Sequence, residues 1–391
     1  MTDSDPSFNI DPLAQAHSDR LFAVIQQHIL AAGGKIPFAD YMQLCLYTPG
    51  LGYYSAGNQK FGQHGDFTTA PEISPLFSQT LARHIQDVRQ QLPEFNLLEF
   101  GAGSGKMAGD ILLQLEKDGA LPDHYYIIEA SADLRFRQQE YLRLAIPKLF
   151  EKIVWLEQLP EQFIGVIVAN EVCDAMPIHR MHFDQTAWHE CYVAIDDGVL
   201  QWVDGPVSNE ALKRRVDLIS RDDSQVDYFA EVNLAAEGWV ASLAECLKQG
   251  AIFIIDYGHD RASYYHPQRS QGTLMCYYQH QGHDNPLILP GLQDITSHVE
   301  FTALAEMAQA PGLDVEGFQT QADFLLAGGI TELLEELSSD NVTIDTLQHT
   351  TAIKRLTLPS EMGESFKALT LTKGLPELLP RLRLADRRYS L

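Results

Sequence analysis

Glycines stand at alternate positions 101, 103 and 105, directly after the run Leu97-Leu98-Glu99-Phe100 and before Lys106. That spacing leaves backbone bare of side chains, so the chain can turn tightly and a ligand can lie close against it. The common phosphate ligands fail the arithmetic. Counting back from Gly105-Lys106, a triphosphate cradle needs glycine where Phe100 stands and a magnesium-binding hydroxyl where Met107 stands. A dinucleotide fingerprint needs its third glycine at Lys106. A nucleophile elbow around Ser104 needs glycines at Ala102 and Lys106. What is left is an acid followed by glycines at every second position, directly after an apolar run.

That pattern resembles motif I of the class I S-adenosylmethionine (SAM) methyltransferases. The resemblance implies SAM as cofactor and S-adenosylhomocysteine as product, with Glu99 reaching the ammonium end of the methionine moiety directly or through water. The next apolar run ends in Glu129, where a carboxylate can accept bonds from both ribose hydroxyls. Glu157, after the third run, is a candidate for the adenine amine. A plainer account stays open for all three acids, as caps and solvent-facing groups at strand-to-helix turns, and it weighs most at Glu157.

Residues for the methyl acceptor follow in VIVANEVCDAMPIHR, 166–180. In an open α/β sheet the crevice lies beyond the carboxyl ends of the strands, so Asn170, Glu171 and Asp174 face the same mouth as the glycines. Glu171 and Asp174 are three apart, which in a helical turn puts both carboxylates on one side. Paired carboxylates beside a sulfonium suit a cationic acceptor, and a guanidinium offers planar donors to orient. The alternative is that Asp174 caps a helix while Glu171 meets solvent. Upstream, Thr69-Ala70-Pro71-Glu72 has capping-box spacing, its helix-start amides are available to a cofactor carboxylate, and Asp66 is placed to contact the ammonium. Asp256, Tyr257 and His259 end a later apolar run and are substrate-side candidates, His259 being equally readable as a surface imidazole. Tyr53-Tyr54, Tyr264-Tyr265 and Tyr277-Tyr278 either wall an acceptor pocket or pack. The pairs His179/His182 and His280/His283 lack an evident third ligand, so no metal is expected.

The segments GDFTTAPEIS (65–74), LLEFGAGSGKMAGDIL (97–112), ANEVCDAMPIHR (169–180), IDYGHD (255–260) and PGLQDITSHVEF (290–301) follow one another as in the MidA-like family. The match is scattered over roughly residues 35–330, and residues 330–391 match nothing placeable. The family includes a mitochondrial arginine methyltransferase of complex I assembly. Membership implies a SAM-dependent protein N-methyltransferase acting on an arginine of a protein partner, by resemblance a respiratory complex I-type subunit. It also implies functional roles for Asp66, Thr68, Thr69, Glu72, Glu99, Gly101, Gly103, Gly105, Glu129, Asn170, Glu171 and Asp174. An assembly chaperone that keeps a SAM site, and a small-molecule methyltransferase, are the competing readings.

The elements that must position these residues are legible as alternation. Apolar runs at 96–100, 124–129, 152–156, 164–169 and 251–256 are separated by helical patterns, the signature of a parallel sheet covered on both faces. The expected fold is α/β, a Rossmann-like doubly wound sheet with an N-terminal helical and loop region and inserted hairpin and helical segments. Residues 1–92 form the N-terminal, cofactor-covering region in this reading. Residues 93–391 form the core, and insertions at about 180–248 and 279–365 make a substrate-side subdomain. Residues 13–32 and the segment from Ser74 read as helices, 37–74 as a long loop, WHECYVAIDD and GVLQWV as a hairpin around Asp197-Gly198. Late strands fit at 272–278 and 367–373, with a mostly helical stretch between them.

Composition sets the limits. A net charge of −25 disfavours a nucleic-acid partner and favours a basic one. The five cysteines show no zinc or redox spacing and read as reduced, buried thiols. No apolar stretch is long enough to span a membrane, and the acidic start, with no signal or transit character, predicts a cytoplasmic protein.

Overall fold

The computed structural model describes residues 8, 10–56, 68–219, 227–309, 312–337 and 344–391. Its main sheet is built on the strand Asn96–Phe100. Tyr125–Ile128 and Ile153–Leu156 lie to one side of it; Phe163–Asn170, Leu247–His259, Phe366–Lys373 and Asp314–Thr320 lie to the other. Numbered by appearance within this sheet, the order is 3-2-1-4-5-7-6, with the short strand Val299–Glu300 alongside Leu247–His259. All pairs are parallel except the two made by Phe366–Lys373, which runs against both neighbours. The sequence explains the layers. FIGVIVAN is buried at almost every position because helices cover both faces. Pro75–Arg89 and Lys106–Lys117 pack one face around Phe77, Ile111 and Val166. Leu234–Cys246 and Phe301–Gln309 pack the other around Val240, Ile167 and Leu304. The doubly wound α/β expectation is met.

One glycine in this sheet is required by close approach. Gly165 sits at φ 142° beside Asn96, and a Cβ there would come within 2.0 Å of the Asn96 carbonyl oxygen. That contact seats the fourth strand against the first, the pair whose divergence opens the crevice.

A second sheet, Lys35–Pro37, Trp188–Asp196, His179–Phe183 and Tyr228–Val232, is extended by Val199–Gly205. The expected hairpin is there: Trp188–Asp196 and Val199–Gly205 turn through Asp197 at φ 46° and Gly198 at φ 80°, the double positive φ of a tight hairpin. A third sheet joins Gln281–His283, Met275–Tyr278 and Asp294–Thr296.

Three element expectations are corrected. Part of the long loop is a helix, Phe38–Tyr47, whose Phe38, Tyr41, Met42 and Cys45 form a buried helical stripe. The stretch taken as mostly helical holds the strand Asp314–Thr320. Strand 272–278 shortens to Met275–Tyr278 and pairs in the third sheet rather than the main one.

Candidate active site

Strand order reverses between Asn96–Phe100 and Phe163–Asn170, and their carboxyl ends splay into a cavity of about 540 Å³. The glycine loop forms one wall. Gly101, Gly103 and Gly105 all have positive φ, 62°, 53° and 85°, a backbone that side chains resist. Gly105 is the N-cap of the helix Lys106–Lys117. Beneath the loop, the buried Glu99 accepts a 2.7 Å bond from the Tyr125 hydroxyl, while its Oε1 has no partner. Burial pushes its carboxyl up to about 8, against the pull of the Tyr125 bond.

At the end of the next strand, Glu129 is held from two directions. Its Oε1 accepts from the Ser131 amide at 3.0 Å and its Oε2 from Gln138 Nε2 at 2.9 Å. Gln138, on the helix Ala132–Ala145, also donates to the Gly103 carbonyl at 3.1 Å and accepts from Trp155 Nε1 at 2.9 Å. One amide thus fixes Glu129 relative to the glycine loop.

The opposite wall is Asn170 to Ala175. Glu171 has φ 53°, a left-handed conformation that costs a residue with a long side chain about 1–3 kcal/mol and so has to be held in place. Its amide donates to the Ile255 carbonyl at 2.9 Å, and its Oε1 accepts from the Ala70 amide at 3.2 Å and Asn170 Nδ2 at 3.1 Å. Burial, then the charge of Asp174, raises its carboxyl to about 8. Asp174 accepts a 2.7 Å bond from the Tyr257 hydroxyl on Oδ2; its Oδ1 is buried without a partner, and burial raises its carboxyl as well.

Several expected roles meet different surroundings. Asp256 is fully buried under the site: its Oδ2 accepts from the Cys173 and Asp174 amides at 3.0 and 3.2 Å, its Oδ1 from the Tyr257 amide at 2.9 Å. It shapes the loop that carries Asp174 and does not line the cavity, so its placement on the substrate side is corrected. His259 faces a separate surface hollow with His266 and Arg269, and its Nε2 lies 3.2 Å from Nδ1 of His298, which does line the cavity. Glu157 is exposed beyond the third strand and absent from the lining. The capping box does not form: Thr69 makes no side-chain cap, the Ala70 amide is taken by Glu171, and Glu72 instead accepts from the Ser104 hydroxyl and, at 2.6 Å, from Lys106 Nζ. Thr69 and Glu72 line the cavity, Thr68 does not, and Asp66 lies outside the described residues. Of the tyrosine pairs, Tyr54 and Tyr277 reach the cavity, whereas Tyr264 and Tyr265 pack in a cluster elsewhere.

Sequence reasoning missed Gln138, Tyr47, Asp294 and His298. The signal for Asp294 and His298 was present in PGLQDITSHVEF, but nothing local says which side chains of that segment face the cavity. Among the described residues the lining carries the carboxylates Glu72, Glu99, Glu129, Glu171, Asp174 and Asp294 and no lysine or arginine. Of these, Glu72 forms an ion pair with Lys106, whose Nζ lies 2.6 Å from its Oε2. Clustered carboxylates, with unpartnered oxygens on Glu99, Asn170 and Asp174, fit a ligand that brings positive charge and hydroxyl donors. A sulfonium nucleoside with an ammonium group matches that donor set. Among the described residues no His, Cys, Asp and Glu grouping could hold a metal ion, and no helix is long and apolar enough to cross a membrane.

Residues 79–319 match the family described as "Putative S-adenosyl-L-methionine-dependent methyltransferase". The chain is similar to a crystal structure of a Burkholderia thailandensis protein bound to S-adenosyl-homocysteine, with TM-score 0.92 and 41% identity over 98% of this chain and 99% of that one. It is 30% identical to the mitochondrial protein arginine methyltransferase NDUFAF7 of Danio rerio, over 86% of this chain and 83% of the relative. It is 29% identical to the human protein of the same name, over 91% and 82%. These relatives, named as mitochondrial, overturn the cytoplasmic expectation. Net charge and composition report solubility and attraction, not compartment.

Proposed function

The chain belongs to the S-adenosyl-L-methionine-dependent methyltransferase family, and on that premise we propose that it methylates an arginine of a protein partner, a respiratory complex I-type subunit by family resemblance. The observation that carries this reading is the cavity whose lining, among the described residues, holds six carboxylates and no lysine or arginine. A cationic cofactor beside a cationic acceptor needs that much buried negative charge.

In this reading the bare turn at Gly101, Gly103 and Gly105 lies against the cofactor, Glu99 receives its ammonium and Glu129 its ribose hydroxyls. Bound there, SAM supplies a methyl group activated by the sulfonium. Asp174 and Glu171 orient the acceptor guanidinium and take the proton that its attacking nitrogen sheds, Asp174 at the unpartnered Oδ1. Tyr257 and Asn170 keep the two carboxylates aimed through the bonds described above. Their raised titration in the ligand-free protein makes them competent proton acceptors only once a cation is near. In-line positioning supplies much of the remaining acceleration.

The test is incubation of the protein with methyl-labelled SAM and extract from cells lacking it, followed by acid hydrolysis of labelled protein. Methylarginine is the expected product. Label confined to small molecules, or to lysine, overturns the acceptor class. Glu171→Gln is expected to bind S-adenosylhomocysteine normally and to transfer no label.

A further inference from the structure

The third sheet carries none of the residues assigned above to the cofactor, yet one of its faces is turned into the cavity. Met275–Tyr278 and Asp294–Thr296 pair antiparallel with Tyr277 opposite Asp294 and Met275 opposite Thr296. Directly opposed residues project to the same side, and all four line the cavity, while Cys276 and Ile295 between them enter the apolar core behind. The alternation places a carboxylate, only 2% exposed, on a wall shared with Met275, Tyr277 and Thr296.

Asp294 and Asp174 are built alike. Each accepts a bond from a tyrosine hydroxyl, Asp294 from Tyr54 at 3.0 Å and Asp174 from Tyr257 at 2.7 Å. A stacked pair of rings spans the space between them. Tyr47 and Tyr54 lie 5.6 Å apart at 21°, Tyr54 tied to Asp294 and Tyr47 tied through its hydroxyl to the Ala175 carbonyl next to Asp174. Tyr47, Tyr54 and Tyr277 each feel the charge of both aspartates, and Glu171 feels Asp294, so the groups share one chamber. Asp174 lines the same chamber, and its Oδ1 is buried without a partner.

We propose that Asp294, oriented by Tyr54 and flanked by Tyr47 and Tyr277, is a further carboxylate that grips the acceptor guanidinium together with Asp174 and Glu171. The proposal rests on the reading of the cavity as an arginine methylation site and adds to it the groups that select the acceptor. Carboxylates on two different elements offer spaced acceptors to a planar fork of donors, which an ammonium, a point charge, matches poorly. Tyrosine faces add cation–π attraction.

Calorimetric titration of the S-adenosylhomocysteine-loaded protein with methylguanidinium chloride, methylammonium chloride and neutral methylurea tests this. Methylguanidinium is expected to bind more tightly than either of the others. Asp294→Asn is expected to weaken it by about tenfold or more, the scale of one charged hydrogen bond, with S-adenosylhomocysteine affinity unchanged. Tyr54→Phe is expected to weaken it by a smaller factor, and it decides the matter if Asp294→Asn does not fold. Loaded protein that ignores methylguanidinium, or that binds it equally in both variants, overturns the role of Asp294. Failure of the wild-type protein to bind S-adenosylhomocysteine overturns the underlying reading instead.

Discussion

Glu129 shows how one side chain joins cofactor recognition to loop geometry. Its oxygens are held by the Ser131 amide and by Gln138, which also grips the Gly103 carbonyl. Replacing it by alanine removes a charged acceptor and leaves Gln138 with one fewer partner. Glu129→Ala is expected to weaken S-adenosylhomocysteine by about 1–3 kcal/mol in calorimetry; an unchanged affinity would remove Glu129 from the cofactor site. Gly103→Val should act more completely, because φ 53° is strained for a β-branched residue and the branched side chain enters the ligand path. Loss of binding in a protein that still folds, with a lowered melting temperature from the backbone strain, is the expected result. The glycines, Glu99, Glu129 and Glu171 were visible in the sequence because each stands at the end of an apolar run. Gln138, Tyr47 and Asp294 were not, since each reaches the cavity from an element whose approach depends on the packing of the whole chain.

At the scale of elements, the loop 171–176 depends on the neighbouring strand. Asp256, near the end of Leu247–His259, accepts from three backbone amides, two of them in that loop. Asp256→Ala leaves these buried donors unpartnered, at about 1–3 kcal/mol each. A lower melting temperature and loss of methyl transfer are expected, with weaker effects on S-adenosylhomocysteine binding, because the glycine wall stands on a different strand. Equal loss of both functions would show that Asp256 supports the whole cleft. Sequence placed Asp256 near the mouth correctly but not its direction, which follows from pairing with both Phe163–Asn170 and Phe366–Lys373. The five parallel strands were legible because each carries a run of apolar residues, buried throughout at 166–169 and 251–255. Asp314–Thr320 was not, as DVEGFQT carries polar residues and a glycine. Phe38–Tyr47 had the helical period, but Tyr, Met and Cys supplied its apolar stripe and the loop-like residues after it masked the pattern.

For the whole molecule, the net charge of −25 and the acidic cavity act in the same direction, drawing in cations and binding them where water is scarce. The same arrangement makes stability and ligand affinity depend on pH in opposite ways. Glu99 and Glu171 titrate near 8 in the ligand-free fold but near 4.5 when exposed. Between these values the folded state holds protons that the unfolded state has released. The stabilisation from these two raised groups is therefore complete below about 4.5 and is lost as pH rises through about 8. An ammonium group beside Glu99 demands the ionised form, so binding below about 8 must expel a proton. The affinity for S-adenosylhomocysteine is accordingly expected to rise by up to about tenfold per pH unit between roughly pH 6 and pH 8 and then to level. Calorimetry in buffers of different ionisation enthalpy counts the proton directly. Glu99→Gln should flatten the profile while leaving some binding. The thermal shift produced by the ligand should be larger near pH 8 than near pH 6. A wild-type affinity that does not change across this range would mean that Glu99 does not meet the ammonium, and the cofactor's methionine end would have to lie elsewhere in the cavity.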